Sequence, residues 1–332
     1  MRAAYYERYG AADVVAIRDL PRPAIGPNDV LVKVAASAVT TADWRLRAAA
    51  FDGVMWLPGR LMVGLFRPRR RVLGHDFAGE VVAIGERVGN FAVGDRVMGF
   101  APGGAHAEYL AMAQDGAIVA MPEGIGAEQA AAIPFGACTA LVFLRDFAKV
   151  RAGERVLVNG ASGAVGVHLV QIARLFGAHV TAVASTDNLD LLRTLGADDV
   201  VDYTAADALA EGRHYDVVVD TVGKMRFREV RRRLSPAGRF LPLEFGLTEM
   251  MQALWTRLRG GRRVIVGVSG DTREDLAFLA AKLADGSVRP VIDGVYPLAR
   301  IAEAYRRVEG RHKRGSVVLS IAEDGPALRR VA

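Results

Sequence analysis

Apolar residues follow two patterns along the chain. Over residues 1–121 they form short β-like runs cut by Gly, Pro and Asp: Arg2 to Tyr6, Val30 to Ala36, Phe77 to Ile84, Arg96 to Phe100, Ala107 to Met112 and Ala117 to Met121. Runs of this length and spacing predict an all-β barrel or sandwich. From Arg155 onward apolar strands alternate with helical segments, at Val156 to Val158, Val180 to Val183, Val200 to Val201, Val217 to Val219, Phe240 to Leu243 and Val264 to Val268. These strands are continuously apolar, which predicts a parallel, doubly wound sheet buried on both faces. Glu123 to Ala148 is Ala-rich and helical in period, with Pro134 as an interruption. After Gly270 come a helix over Thr272 to Leu283, an apolar run Val288 to Val291, a helix over Leu298 to Val308 and a last strand, Ser316 to Ile321. Residues 43–73 are rich in Arg, Trp and Met and broken by Pro58, Gly59, Gly64 and Pro68. They read either as a cover over a cleft or as a helix packed on the barrel.

The stretch RVLVNGASGAVGVHLVQIARLF, Arg155 to Phe176, is strand, tight turn and helix in succession. Gly160, Gly163 and Gly166 suit a turn in which backbone approaches a diphosphate and the helix N-terminus faces the anion. His168, Gln171 and Arg174 fall three apart as one polar stripe, leaving the other faces of the helix to press on a sheet. Val167 and His168 follow the last glycine, where a P-loop needs Lys and then Ser or Thr. No tyrosine is followed four residues later by Lys, the pair expected of a short-chain dehydrogenase. The turn reads as a dinucleotide site.

Composition narrows the class. The 332 residues are 51% hydrophobic and 24% charged, enough for two domains with large cores. A net charge of +6 is modest, and the basic clusters Arg67 to Arg71, Arg231 to Arg233 and Arg257 to Arg263 lack interleaved aromatics, so a nucleic-acid partner is not expected. Those clusters read as solvated faces, or as steering charge for an anionic ligand. A lone cysteine, Cys138, rules out an intrachain disulfide. The N-terminus lacks a signal-peptide core and the longest charge-free run is the glycine turn itself, so neither a membrane span nor a membrane partner is expected; the expected location is cytoplasmic.

Several motifs, in order and across nearly the whole chain, resemble the medium-chain dehydrogenase/reductase family, and most closely its zinc-free quinone oxidoreductase (zeta-crystallin-like) branch. They are LGHDFAGEVVAIG (Leu73 to Gly85), VGDRVMGF (Val93 to Phe100), AAAIPFGACTAL (Ala130 to Leu141), NGASGAVG (Asn159 to Gly166), GADDVVDY (Gly196 to Tyr203), DTVG (Asp220 to Gly223) and RGSVVLS (Arg314 to Ser320). The resemblance implies an α/β protein: a Rossmann doubly wound parallel sheet over residues 123–268, plus a GroES-like β-barrel substrate domain over 1–122 and 269–332. It implies NADPH or NADH as cofactor, a small-molecule carbonyl or quinone as substrate, and a homodimer. The cofactor residues it implies are Thr139, Ser162, Gly163, Ala164, Val165, Gly166, Ser185, Thr186, Tyr203, Val222 and Arg314. NADPH is favoured because Ser185 and Thr186 stand where an NAD-specific site places an acid, although Asp187 follows them.

Departures from the family bear on the chemistry. Zinc-dependent relatives carry a cysteine at Thr40 and a His-Glu pair at His75 and Asp76, while Cys138 falls two residues beyond the third ligand. Since catalytic zinc takes three protein ligands, no zinc is expected. The zinc-free branch often carries Asn-Pro at Thr40 and Thr41, so the carbonyl-polarising group is open between Thr40 and His75. Asp43 reads as fixing its loop through side-chain-to-backbone bonds. Cys138 reads as a small core residue. Substrate-pocket residues are expected from Asp43 to Gly64 and from Glu244 to Trp255. The expected reaction is zinc-independent, direct hydride transfer from NADPH to a quinone or enone. The alternatives are a nucleotide-binding protein without turnover and a zinc-dependent alcohol dehydrogenase.

Overall fold

A computed structural model describes residues 1–51, 53, 56–321 and the backbone of 329–330. The chain forms two compact units, residues 1–135 with 271–332, and residues 136–270. The expected boundary at 123 thus moves to 136, because the helix over 127–131 packs on strands of the first unit.

The first unit begins with a two-stranded antiparallel pair, β1 (Arg2–Tyr5) and β2 (Ala16–Asp19). Its main sheet is built on β3 (Asp29–Val39), which pairs antiparallel with β4 (Asp76–Ile84) and with β6 (Tyr109–Ala113), while β5 (Arg96–Phe100) links β4 to β7 (Ile118–Ala120). Segment 43–73 holds two eight-residue helices, α1 (Thr41–Ala48) and α2 (Trp56–Val63); positions 52, 54 and 55 of the expected pocket segment lie outside the described residues. Two more helices, α3 (Ala127–Ala131) and α4 (Pro134–Val142), follow. Inward positions of β3 and β4, among them Val30, Val32, Val34, Phe77 and Val81, form the core with Tyr305 and Leu319 from the far end of the chain.

The second unit is a six-stranded parallel sheet in the order β10-β9-β8-β11-β12-β13. Its strands are β8 (Arg155–Asn159), β9 (His179–Ala184), β10 (Asp199–Asp202), β11 (Tyr215–Asp220), β12 (Leu234–Pro242) and β13 (Arg263–Val264). Val156, Leu157, Val158, Val217, Val218 and Val219 are fully buried, as the unbroken apolar runs predict. Helices α5 (Gly166–Leu175), α6 (Leu189–Thr194), α7 (Phe227–Val230) and α8 (Leu247–Arg259) follow β8, β9, β11 and β12. The expected last strand, Val264 to Val268, shrinks to the two residues that pair with Arg239 and Phe240.

The polar stripe of α5 is corrected. His168 and Gln171 are buried at 0% and 5% exposure, and of the three only Arg174 reaches solvent. Gly136 of α4 lies against that face: a Cβ there would meet Ala164 O at 2.6 Å and the His168 ring at 2.9 Å. Gln171 satisfies its amide within the helix, donating to Val167 O at 3.0 Å.

The chain then re-enters the first unit through α9 (Arg273–Ala284), β14 (Ile292–Pro297), α10 (Ile301–Glu309), β15 (Ser316–Ser320) and β16 (Arg329–Arg330). Val288 to Val291 is a connection, and the strand starts at Ile292. β15 closes the order by pairing antiparallel with β3, Val317 opposite Val39.

Candidate active and cofactor sites

In the first unit the chemistry gathers around Asp43. Thr40 caps α1: its hydroxyl accepts from Asp43 N at 3.1 Å, and Asp43 Oδ2 accepts from Thr40 N at 2.8 Å and from the Thr40 hydroxyl at 2.7 Å. The expected loop-fixing role of Asp43 is therefore a capping box. Its other oxygen does more. Oδ1 accepts from Gly74 N at 3.1 Å and lies 2.7 Å from His75 Nδ1, on the chain just ahead of β4.

Both pKa values follow from this pair. Burial alone would raise Asp43, but His75, the nearby His106 and the Thr40 hydroxyl outweigh it and hold the carboxyl well below the usual carboxylate range. Burial would lower His75, but the Asp43 carboxylate outweighs it and lifts the imidazole above the ordinary histidine value, against Arg70 and with help from Asp271. With Nδ1 committed to Asp43, Nε2 is the ring nitrogen that can meet a ligand. The ring stacks on Phe100, centroids 5.4 Å apart, and its side chain keeps 12% exposure. Thr40 and His75 are thus brought together by one carboxylate, but the Thr40 proton already points at Asp43.

Two further carboxyl groups flank the pair. Asp76 is buried, accepts from Phe135 N through both oxygens at 3.1 and 3.2 Å, and is pushed well up by burial and then by Asp43. Asp271 has one buried oxygen without a hydrogen-bond partner. Burial pushes it up to about 6, against the pull of His75 and with the push of Asp275. Sequence reasoning passed over Asp271, which stands in a connection with no motif around it.

In the second unit the strand order reverses between β8 and β11, the point where doubly wound sheets bind ligands beyond the strand C-termini. Asn159 Nδ2 there donates to Asp220 Oδ1 at 2.9 Å, and Asp220 also accepts from the amides of Val222, Gly223 and Met225. The Thr221 hydroxyl reaches Asn159 O and Gly160 O, joining the DTVG loop to the glycine turn. Gly160 has φ +75°, and at Gly166 a Cβ would fall 2.3 Å from Gly160 O. At Gly163 a Cβ would meet nothing nearer than Gly160 O at 3.5 Å. That openness beside a helix start with no side-chain cap at Val165 is the space a diphosphate needs. The residues present fit a dinucleotide, with Ser162, Gly163, Ala164, Val165 and Gly166 forming the turn.

A cavity of about 420 Å³ opens beside it, lined by Asn159, Val183, Tyr203 and Met225 among others. The Ser185 hydroxyl accepts from Asn188 Nδ2 at 2.9 Å, while the Thr186 hydroxyl donates to Asp202. Thr139 is buried, its hydroxyl 3.2 Å from Ser269 Oγ. Arg314 belongs to the first unit, where its backbone N–H donates to Asp293 Oδ1 at 2.7 Å. Among the described residues no group of three or more His, Cys, Asp or Glu could hold a metal ion, and no helix is long and apolar enough to cross a membrane.

Residues 26–134 match the model of the alcohol dehydrogenase GroES-like domain, and residues 195–319 that of the zinc-binding dehydrogenase. A quinone-oxidoreductase homolog, chloroplastic, from Spinacia oleracea is 32% identical over 96% of this chain and 98% of its own. The chain belongs to the medium-chain dehydrogenase/reductase family. An NADPH-dependent alkenal/one oxidoreductase, chloroplastic, from Arabidopsis thaliana is 31% identical over 96% of this chain and 79% of that protein. The structure of the quinone oxidoreductase from Coxiella burnetii superposes with a TM-score of 0.85 at 28% identity, covering 97% and 99% of the two chains. The family assignment identifies the second unit as the Rossmann-type nucleotide-binding sheet and the mainly antiparallel sheet of the first unit as the GroES-like domain.

Proposed function

We propose that this oxidoreductase reduces a quinone or an α,β-unsaturated carbonyl with NADPH, zinc-independently, and that His75 is the group that polarises the carbonyl. The observation that carries this is the 2.7 Å contact between His75 Nδ1 and the buried Asp43 carboxylate. The names of the relatives, quinone oxidoreductase and NADPH-dependent alkenal/one oxidoreductase, support the substrate class. NADPH, when bound, supplies the hydride.

The chain's own residues do the rest. The glycine turn and the Asp220 loop hold the dinucleotide, with Thr139, Ser185, Thr186, Tyr203, Val222 and Arg314 as neighbours. Asp43 orients the imidazole and favours its charged form, so that Nε2–H donates to the oxygen where negative charge grows as the β-carbon or quinone ring is reduced. Water delivers the proton that turns the enolate into the saturated carbonyl, or the reduced quinone anion into the quinol. Thr40 positions Asp43 and does not touch the substrate. The donor set supports independence from zinc: Thr40 replaces the family's cysteine, His75 spends Nδ1 on Asp43, and Cys138 is fully buried. The same reading takes the protein as a cytoplasmic homodimer.

The test is oxidation of NADPH against a panel of quinones and enones by wild type and by His75→Ala. A wild type that binds NADPH and turns over nothing would assign the protein to nucleotide binding alone. Full activity in His75→Ala would remove His75 as the donor.

A further inference from the structure

Helix α8 carries its apolar stripe on the outside. Leu247, Met250, Met251, Leu254 and Leu258 recur at three- and four-residue spacing and fall within roughly 100° of arc, the stripe that a surface helix normally buries. Here Met251 is 57%, Leu254 54% and Leu258 79% exposed. The side chain about 180° away is Thr256, which is 2% exposed. Its hydroxyl donates to Gln252 O at 2.8 Å and accepts from Val264 N at 3.0 Å, so the polar side faces the protein. The helix is nonetheless well made: Glu249 accepts from Gly246 N at 2.8 Å at its start.

The borders of the stripe are basic. Arg257 and Arg259 flank it, and the Arg259 guanidinium lies 4.4 Å above the Trp255 ring. At the C-terminal end Arg231, Arg259 and Arg262 line a cavity of about 240 Å³ together with Trp255. Among the described residues no ion pair holds Arg231, Arg257 or Arg259. Three guanidiniums there outweigh the partial negative charge of the helix end. An exposed apolar stripe bordered by arginines and a tryptophan matches one chemistry, a layer with anionic phosphates above acyl chains.

We propose that α8 docks this protein on an anionic lipid bilayer, with Leu254 and Leu258 entering the headgroup boundary and Arg231, Arg257, Arg259 and Arg262 meeting lipid phosphates. The attachment is peripheral, since no described helix is long and apolar enough to span. A second copy is the poorer occupant. Self-association through this face would bring two arginine-bordered surfaces of the same sign together, and like charges across an interface are costly.

Co-sedimentation of the full chain with vesicles tests this. Binding is expected to equimolar phosphatidylcholine and phosphatidylglycerol, to be absent with phosphatidylcholine alone, and to weaken with salt. Arg257→Ala and Arg259→Ala should each lower affinity about five-fold. Leu254→Ser combined with Leu258→Ser should abolish retention while leaving the unfolding midpoint unchanged, because both side chains are exposed. Glycerol phosphate, which has the headgroup phosphate without the bilayer, should not compete. Equal binding to neutral vesicles, no binding to anionic ones, competition by glycerol phosphate, or variants that bind like wild type would each overturn the proposal. So would a dimer that the Leu254 and Leu258 variant dissociates in the absence of any lipid binding, which would give the face to a second copy.

Discussion

The glycine turn of the second unit and the Asp43 cluster of the first prepare their ligands by opposite means. The turn works by leaving atoms out: Gly160 bends at φ +75°, Gly166 packs a backbone against a backbone, and Gly163 leaves open space. The cluster works by adding bonds, with a buried carboxylate satisfied on both oxygens and biasing one imidazole toward its charged form. A backbone device tolerates no added atom, whereas a side-chain device can be retuned by changing one partner. The first should fail abruptly and the second by degrees.

Gly166→Val sits at the abrupt end. Its Cβ would be forced to within 2.3 Å of Gly160 O, so loss of NADPH binding together with a lowered unfolding midpoint is expected, read by fluorescence titration and calorimetry. His75→Ala comes next, with kcat reduced by about ten- to a thousand-fold, on the scale of one lost oxyanion donor, and an unchanged Kd for NADPH. Gly163→Ala separates ligand space from packing. It should weaken NADPH by about ten-fold, or ~1.4 kcal/mol, without moving the midpoint, and a fall in stability instead would make this glycine a packing device.

Asp43→Asn should act through pH. The imidazolium is the competent form, so kcat/KM is expected to fall as pH rises through the lifted His75 value, above 6.5. The stability that the charged ring draws from Asp43 is likewise complete below 6.5 and lost through the same upper limb. Asp43→Asn should move the alkaline limb downward; an unmoved limb would show that another group sets it. The smallest effect belongs to Thr40→Val, about 1 kcal/mol of stability for a lost cap, with kcat near wild type because the hydroxyl proton is already spent on Asp43.

What could be read from sequence divides along the same line. Glycine spacing and apolar runs are local, so the turn and the alternation of strands and helices after it were legible from residue patterns alone, while the order of the strands in the sheet was not. His75 was legible as a candidate through its motif, but its pairing with Asp43 spans 32 residues and depends on how α1 meets the start of β4. Period alone also misled at His168 and Gln171, because a three-residue stripe of polar residues cannot reveal that α4, carrying Gly136, covers it. The short β13 and the start of β14 were misjudged for a related reason. Apolar residues in a connection between packed elements look the same as those in a strand until a partner strand is known.

The pairing of β15 with β3 has a consequence for synthesis. Val317 lies opposite Val39, so the first unit cannot complete its sheet until β15 has left the ribosome. Residues 136–270 have all emerged by then and hold every strand of their own parallel sheet. At about 5–20 residues per second, the Ala36–Val39 end of β3 waits on the order of tens of seconds with one edge unpaired, while β6 covers Asp29–Lys33. The nucleotide-binding unit therefore matures first, and the nascent GroES-like unit is the part of the chain that most needs a chaperone's protection.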